Sequence, residues 1–553
     1  MKKIKKILTE KDSKMTKIDY VILGIIIITY SILSFINLGS FTNPETFYEI
    51  KKKETITFEF KDLTDVVKIK FYNGEKNSNY ILSVSSNNKT YTKLKTLEGT
   101  GAFSWNEEKI LQRIKYIKIT PKEENGVIGE IAFYDNSKNR INPVSILSTK
   151  TNQQITTLTD EQKKVPNEIS YLNSTYFDEI YFARTAYDYA NHLEAYEWVH
   201  PPLGKLIQAI PVKLFGMAPF FYRLMGNIAG ILMIVVMYLF AKKLFKTRKY
   251  AIFAALLMYF DCFHFAHTRM GTVDSFLVLF IMLSFYYMYR YIETKDNKKN
   301  LFLSGLFFGL SISVKWTGFM AGLGLAIIYF IDWWKQKKSL KNTLLYGICF
   351  FVFIPFLIYT STYLIYPNIQ VTTTNSIPKI IKQTEKMYQY HSTLEATHPF
   401  QSSWYTWPIS YKPVWYYTNE VDEYNHGTIV GIGNIAIWWM GIIAVFYLVN
   451  QIIRKKDKKS LFLIIVILSL WLPYLWIGRA MFLYHYFPVL PFLMLSITKM
   501  FEEIEKNNKW KFLLPIYLII VIIVFILYYP AISGKITSNN YLDSLKLLSS
   551  WYF

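Results

Sequence analysis

The residues whose types and spacing can do chemistry form a short series along the chain. Asp178-Glu179 sets two carboxylates side by side, just after the turn-prone Asn173-Ser174-Thr175. His200-Pro201-Pro202-Leu203-Gly204-Lys205 follows. Then come Arg223, Arg269 with Asp274, Lys315 beside Trp316, His398 and Gln401, and Arg479 with Tyr484. Adjacent residues on a helix point about 100° apart, so Asp178 and Glu179 do not face one atom equally. One acts and the other supports it. A glycoside hydrolase needs a second carboxylate to protonate its leaving group. A sugar phosphate leaves without protonation, so one base on an acceptor hydroxyl is enough, with cations to hold the phosphate. The single-base scheme suits this sequence. The competing reading of Asp178-Glu179 is a helix N-cap, where carboxylates complement the macrodipole.

In the His200 to Lys205 stretch two prolines fix φ and a glycine then frees the backbone, which sets a turn into a helix with Lys205 at phosphate depth; a snorkelling lysine at a helix start explains the same residues. Arginines near a membrane entrance need anions, so Arg223, Arg269 and Arg479 call for partners, a lipid phosphate or Asp274 among them. A simple Arg269–Asp274 pair is the alternative. The His398 to Trp407 stretch reads either as a wall of a sugar site or as an interfacial aromatic anchor.

The elements that must position these residues are membrane helices. Hydrophobic residues make up 52% of the 553 and aromatics 18%, in runs long enough to span. The net charge of +22 falls in short loops between those runs, which fits the positive-inside rule and argues against nucleic acid. Both cysteines, Cys262 and Cys349, lie inside apolar runs, which argues against a disulfide framework or a cysteine metal centre. No metal and no cofactor are expected. A first apolar run at 18–38 and ten more between 222 and 530 predict about eleven spans, with the N-terminus cytoplasmic and the residues above gathered on the outer face. The stretch 204–216 is too short to span and reads as an interfacial helix.

Residues 41–165 hold no spanning run. Period-two alternation, as in Thr55-Ile56-Thr57-Phe58-Glu59-Phe60, and Asn-Gly and Asn-Asn turn signals predict an extracytoplasmic antiparallel β-sandwich. It resembles a discoidin-like jelly roll, with Tyr80 to Thr92 as a hairpin and Arg113 to Tyr134 as closing strands. Many such domains bind sugars, so Trp105 and nearby loops become candidate glycan contacts, with a plain spacer as the other reading. The expected order is thus a cytoplasmic N-terminus with the first helix at 1–40, the insert at 41–165 and a catalytic outer segment at 166–221. Core helices at 222–366, an outer loop over the site at 367–430 and C-terminal helices with an outer tail at 431–553 complete it.

Taken in order, Asp178-Glu179, His200 to Lys205, Phe215-Gly216 with Arg223-Leu224-Met225-Gly226, Arg269 to Phe276, Val314 to Gly318, His398 to Ser402, and Arg479 to Phe482 with Tyr484 resemble the protein O-mannosyltransferases, especially their bacterial members. The resemblance covers nearly everything outside the insert. It implies a GT-C fold and an inverting glycosyltransferase of the cell membrane that moves mannose from polyprenyl-phosphate-mannose to Ser or Thr hydroxyls of secreted or membrane proteins. It also implies Asp178 as general base, Glu179 as the residue orienting acceptor or base, and Arg223 as the neutraliser of the donor phosphate. Lys205, His200, Arg479, Asp274, Arg269, Lys315, His398, Gln401 and Tyr484 are carried over as donor-site residues. The soluble β-trefoil of the eukaryotic enzymes is absent, so acceptor selection is expected to differ. Two rivals remain open: a GT-C transferase moving another lipid-linked sugar to a lipid or cell-wall polymer, and a sugar-binding transporter, which predicts inverted repeats that this chain does not display.

Overall fold

In the computed structural model residues 14–151, 154–295, 297–365 and 376–553 are described. The Lys-rich stretch 1–13 and the first part of the outer loop expected at 367–430 lie outside the described residues. The chain divides into two compact units. One comprises 37–191 with 209–223, the other 1–36, 192–208 and 224–553.

The first unit is built on strands β1 (Tyr48–Ile50), β2 (Ile56–Asn73), β3 (Tyr80–Ser85), β4 (Thr92–Leu97), β5 (Trp105–Pro121), β6 (Gly126–Tyr134), β7 (Arg140–Ile141) and β8 (Ser145–Ser148). All eight hydrogen-bond antiparallel into one sheet, in the order β1-β6-β2-β5-β3-β4, with β7 on β6 and β8 on β2. The expected jelly-roll-like sandwich takes the form of a half-barrel. The long strands β2 and β5 lose register between Glu59 and Thr64 and between Val66 and Lys68, and such irregularities bend a sheet over its own core. Alternation does the rest: Ile56, Phe58 and Phe60 of β2 and Ile117 and Ile119 of β5 are buried together. Trp105 is 2% exposed and packs on Tyr72 with ring centroids 5.1 Å apart. A buried ring presents no face to a sugar, which corrects its assignment as a glycan contact.

The strand end at Trp105 also anchors the candidate base. Ser174 Oγ accepts from the Trp105 amide at 2.9 Å, and Thr175 Oγ1 donates to the Ala102 carbonyl at 2.6 Å. These bonds tie the 173–175 turn to the sheet immediately before helix α1 (Glu179–Ala190).

The second unit is helical. Its helices α2 (Lys17–Phe35), α4 (Pro219–Phe245), α5 (Arg248–Tyr259), α6 (Cys262–Thr268), α7 (Asp274–Glu293), α8 (Lys298–Val314), α9 (Phe319–Gln336) and α10 (Leu340–Ile365) precede the loop expected at 367–430. The unit boundary falls within α3 (Leu203–Phe215) and α4, and Gly216, at φ +91°, ends α3 in the left-handed region. Helix α11 (Ile377–Thr393) lies within that loop, and after it come α12 (Ile435–Lys455), α13 (Lys458–Trp471), α14 (Leu490–Ile504) and α15 (Leu513–Ser533). A small sheet, β9 (Val414–Glu420), β10 (Asn425–Gly431) and β11 (Thr537–Ser538), joins the loop to the C-terminal segment.

Among the described residues eight helices are long and apolar enough to cross a membrane, or nine if α5 and α6, bent by 59°, form one span. Each of the about eleven expected runs coincides with helix, but α8 has 17 residues and α14 only 15. The expected run that holds α14 is interrupted by Pro488 inside a 3-10 turn and by Pro491 at the start of α14. Part of the basic pattern also has a local role. Asp19, buried near the start of α2, lies 3.0 Å from Arg248 and 3.2 Å from Lys242, which pins the first helix to α4 and α5.

Candidate active site

In the β unit, Phe177 has φ +49° and the chain then turns into α1 with Asp178 at the N-cap position. A bulky residue in the left-handed region stores strain, and such strain gathers where a side chain must be aimed. The Asp178 carbonyl accepts from the amides of Tyr181 and Phe182 at 3.0 and 3.1 Å, while its half-buried carboxylate makes no capping hydrogen bond. The residue therefore occupies the cap by backbone alone.

Glu179 and Arg223 are both fully buried and form a two-bond pair, Nε to Oε1 and Nη2 to Oε2, each 2.7 Å. Arg223 Nη1 donates to the carbonyls of Leu38 and Tyr171 at 2.8 Å, and Nη2 to that of Ser174 at 3.1 Å. The ring of Tyr176 covers the guanidinium at 4.9 Å. Every N–H of Arg223 is thus committed to protein. The resemblance assigned this arginine to the donor phosphate. Its geometry is instead that of a clamp on the turn carrying Asp178, with Glu179 as the counter-charge.

In the helical unit the His200 to Lys205 stretch is organised by a residue that sequence reasoning passed over. Glu197 Oε1 meets His200 Nδ1 at 2.7 Å, and Glu197 Oε2 pairs with Lys205 Nζ. Lys205 also donates to the carbonyls of Glu197 at 2.7 Å and His200 at 2.9 Å and is fully buried. Its three N–H groups are taken up inside the turn, which leaves none for the phosphate that Lys205 was expected to meet. Burial opposes ionisation of Glu197, but Lys205 and His200 outweigh it and hold the carboxyl low, at about 2. Burial, with Lys315 and Lys205 nearby, keeps the His200 imidazole below its ordinary value despite Glu197.

Arg269 donates to the carbonyls of Ser34 at 3.1 Å and Ile36 at 2.6 Å, and its guanidinium lies 4.7 Å over the Phe265 ring. It caps the end of α2. Asp274 instead pairs with Lys315, Oδ1 to Nζ 3.0 Å, and His267 Nε2 lies 3.8 Å from its other oxygen. Lys315 Nζ also lies 5.4 Å over the ring of Tyr484. Lys315 stands between α8 and a 3-10 turn in an extended conformation, φ −156°, which breaks the helix at that point.

His200, Lys315, Trp316, His391, Glu395 and Arg479 line one cavity of about 550 Å³. A second, of about 680 Å³, shares Arg479 and is lined also by Gln401, Ser402, Tyr405 and Lys412. Gln401 and His398 build the turn beside it, with Gln401 Oε1 accepting from the His398 amide at 3.2 Å and Ser402 N donating to the Met481 carbonyl at 2.8 Å. Of the expected donor-site residues, then, His200, Lys315 and Arg479 share a cavity, Asp274 and Tyr484 support Lys315, and Gln401 lines the neighbouring cavity. Arg223, Lys205 and Arg269 are each enclosed by other groups. His391, also missed, carried only the signal of being one of eight histidines in the chain.

This arrangement brings together cations that can hold a phosphate. Residues 199–359 match the family described as dolichyl-phosphate-mannose-protein mannosyltransferase, and residues 376–551 match the C-terminal four-transmembrane region of protein O-mannosyltransferase. The chain is 23% identical over 423 residues to the polyprenol-phosphate-mannose–protein mannosyltransferase of Corynebacterium glutamicum, covering 64% of this chain and 81% of that one. It is 22% identical over 453 residues to the protein of the same name from Mycobacterium tuberculosis, covering 68% and 86%. Among solved structures, the Saccharomyces cerevisiae protein O-mannosyltransferase Pmt1-Pmt2 complex bound to the sugar donor superposes with a TM-score of 0.61 at 13% identity, over 68% of this chain and 89% of that one. The helical architecture is that of the GT-C fold. With both parts of the family pattern matched in order, the chain belongs to the protein O-mannosyltransferase family.

Proposed function

We propose that the protein transfers mannose from polyprenyl-phosphate-mannose to Ser or Thr hydroxyls of proteins at the outer membrane face, inverting the anomeric carbon. The observation that carries this reading is the cavity on which His200, Lys315 and Arg479 converge. Its volume falls in the range of small-molecule sites. Cations in a low-dielectric surround stabilise charge that develops on a departing phosphate. The names of the relatives support the donor and the protein acceptor.

In the reaction, Asp178 accepts the proton of the acceptor hydroxyl. The hydroxyl oxygen bonds to the anomeric carbon from the face opposite the leaving group, and the bond from that carbon to the phosphate oxygen breaks. The electron pair departs on polyprenyl phosphate, where Lys315 and Arg479 meet the charge. Asp274 keeps Lys315 in place, and the Glu179–Arg223 pair holds the turn that carries Asp178. The basic loops between the apolar runs support a cytoplasmic N-terminus with this chemistry outside.

The test supplies purified protein with polyprenyl-phosphate-mannose and a Ser/Thr peptide and reads the peptide by mass spectrometry and the linkage by NMR. A single hexose on a hydroxyl, with the anomeric configuration opposite to the donor's, is expected. An unmodified peptide beside active transfer to a lipid acceptor would overturn the reading.

A further inference from the structure

We propose that His391 is a positioning residue, whose imidazole aims Arg479 into the cavity and couples that guanidinium to the segment bearing His200. The proposal rests on the reading above that Arg479 meets the donor phosphate.

Both ring nitrogens of His391 have partners that determine their state. Nε2 lies 2.8 Å from the Val199 carbonyl, which only accepts, so Nε2 carries the proton. Nδ1 lies 2.8 Å from Arg479 Nη1, which only donates, so Nδ1 presents its lone pair. The pair of contacts requires the neutral imidazole in one tautomer. Among the described residues His391 is the one hydrogen-bond partner of the Arg479 guanidinium, and its other N–H groups remain for an anion in the two cavities that Arg479 lines.

The imidazole is itself held in place. The rings of His200, Trp316 and Tyr390 lie 5.5, 5.8 and 5.5 Å from it. On the same helix α11, Gln383 Nε2 donates to the Trp198 carbonyl at 3.1 Å, next to the Val199 carbonyl that His391 uses. The helix is thus fastened to the residues just before His200 by two side chains, and one of them, His391, also bonds Arg479. The charged and titratable groups around the imidazole are His200, Lys315 and Arg479, with Glu395 on the cavity wall. Burial and the positive neighbours push His391 down to about 4, so the neutral form persists at physiological pH. A second proton would set an N–H against the guanidinium and release it.

The experiment measures donor and acceptor KM and kcat for the full chain in lipid nanodiscs, comparing wild type with His391→Phe, His391→Gln, Arg479→Met and the Arg479→Met/His391→Phe double variant. His391→Phe is expected to raise donor KM about 10-fold with acceptor KM unchanged, as loss of one hydrogen bond to a charged group predicts. His391→Gln, which keeps an acceptor and a donor on one side chain, is expected to restore most of that loss and to lack the rise in donor KM expected of wild type as pH falls toward 4. The double variant is expected to match Arg479→Met alone. An additive effect in the double variant, or no change in donor KM in His391→Phe, would overturn the proposal. If His391→Phe does not fold, an unaltered acid limb in His391→Gln overturns it equally. If Arg479→Met leaves donor KM unchanged, the reading of Arg479 as the phosphate ligand is what fails, and this inference falls with it.

Discussion

Glu179→Gln separates two roles for Arg223, donor ligand and structural clamp. The substitution keeps the volume of the side chain but removes its charge, and it turns an amide N–H₂ toward a guanidinium that only donates. Arg223 is then left fully buried with the backbone carbonyls of Leu38, Tyr171 and Ser174 as its acceptors. Removing one partner of a buried ion pair costs about 3–5 kcal/mol. At a factor of ten per about 1.4 kcal/mol, local opening of the turn and the start of α1 becomes roughly 100-fold to several thousand-fold more populated. Hydrogen exchange over residues 171–190 in lipid nanodiscs should report that opening, and kcat should fall as the Asp178 turn loosens. Donor KM should hold within about 2-fold, because no N–H of Arg223 remains for a phosphate. Arg223→Met should behave alike. The double variant Glu179→Gln/Arg223→Met should recover much of the protection, since a buried pair replaced as a pair is often tolerated. A large rise in donor KM in Arg223→Met with unchanged exchange would refute the clamp and restore the arginine to the donor.

Asp178→Asn should lower kcat about 10²–10⁴-fold, the usual range for a general base, with donor KM nearly unchanged in single-turnover assays using labelled donor; retained turnover would remove Asp178 from that role. In the β unit, burial raises Glu130 to about 8 against the hydrogen bonds it accepts from Glu161 N and Gln162 Nε2. A carboxyl whose folded value lies above its unfolded one contributes stability below the ordinary carboxylate range and loses it as pH rises through about 8. Exchange protection of β6 should therefore decline over that window in wild type and decline less in Glu130→Gln. Transfer is expected to survive a chelator, because Lys315 and Arg479 supply the positive charge at the phosphate; activity lost with chelator and restored by a divalent ion would count against that.

Much of the architecture was legible in the sequence because its signals are periodic. Alternation through Ile56, Phe58 and Phe60 marks a strand wherever it is folded, and apolar runs mark membrane helices. The 15-residue α14 was harder, since Pro488 and Pro491 sit inside a run that is apolar enough to span but not regular enough. The motif residues were legible as a set, whereas their division of labour was not, and the reason is physical. Arg223 is bound by the carbonyls of Leu38, Tyr171 and Ser174, Lys205 by those of Glu197 and His200, and Arg269 by those of Ser34 and Ile36. Every residue has a carbonyl, so a cation held by carbonyls leaves no mark in composition or spacing. Among the described residues Lys315 and Arg479 differ in having no backbone carbonyl on their charged groups, whereas Arg223 and Lys205 add carbonyls to their Glu179 and Glu197 pairs. Asp274 and His391 hold them by side chains from other elements, and a side chain that grips one donor atom leaves the rest of the cation facing the cavity. On the proposed reading the motif contains more cations than one phosphate needs because three of them stabilise turns and helix ends, which leaves Lys315 and Arg479 for the phosphate.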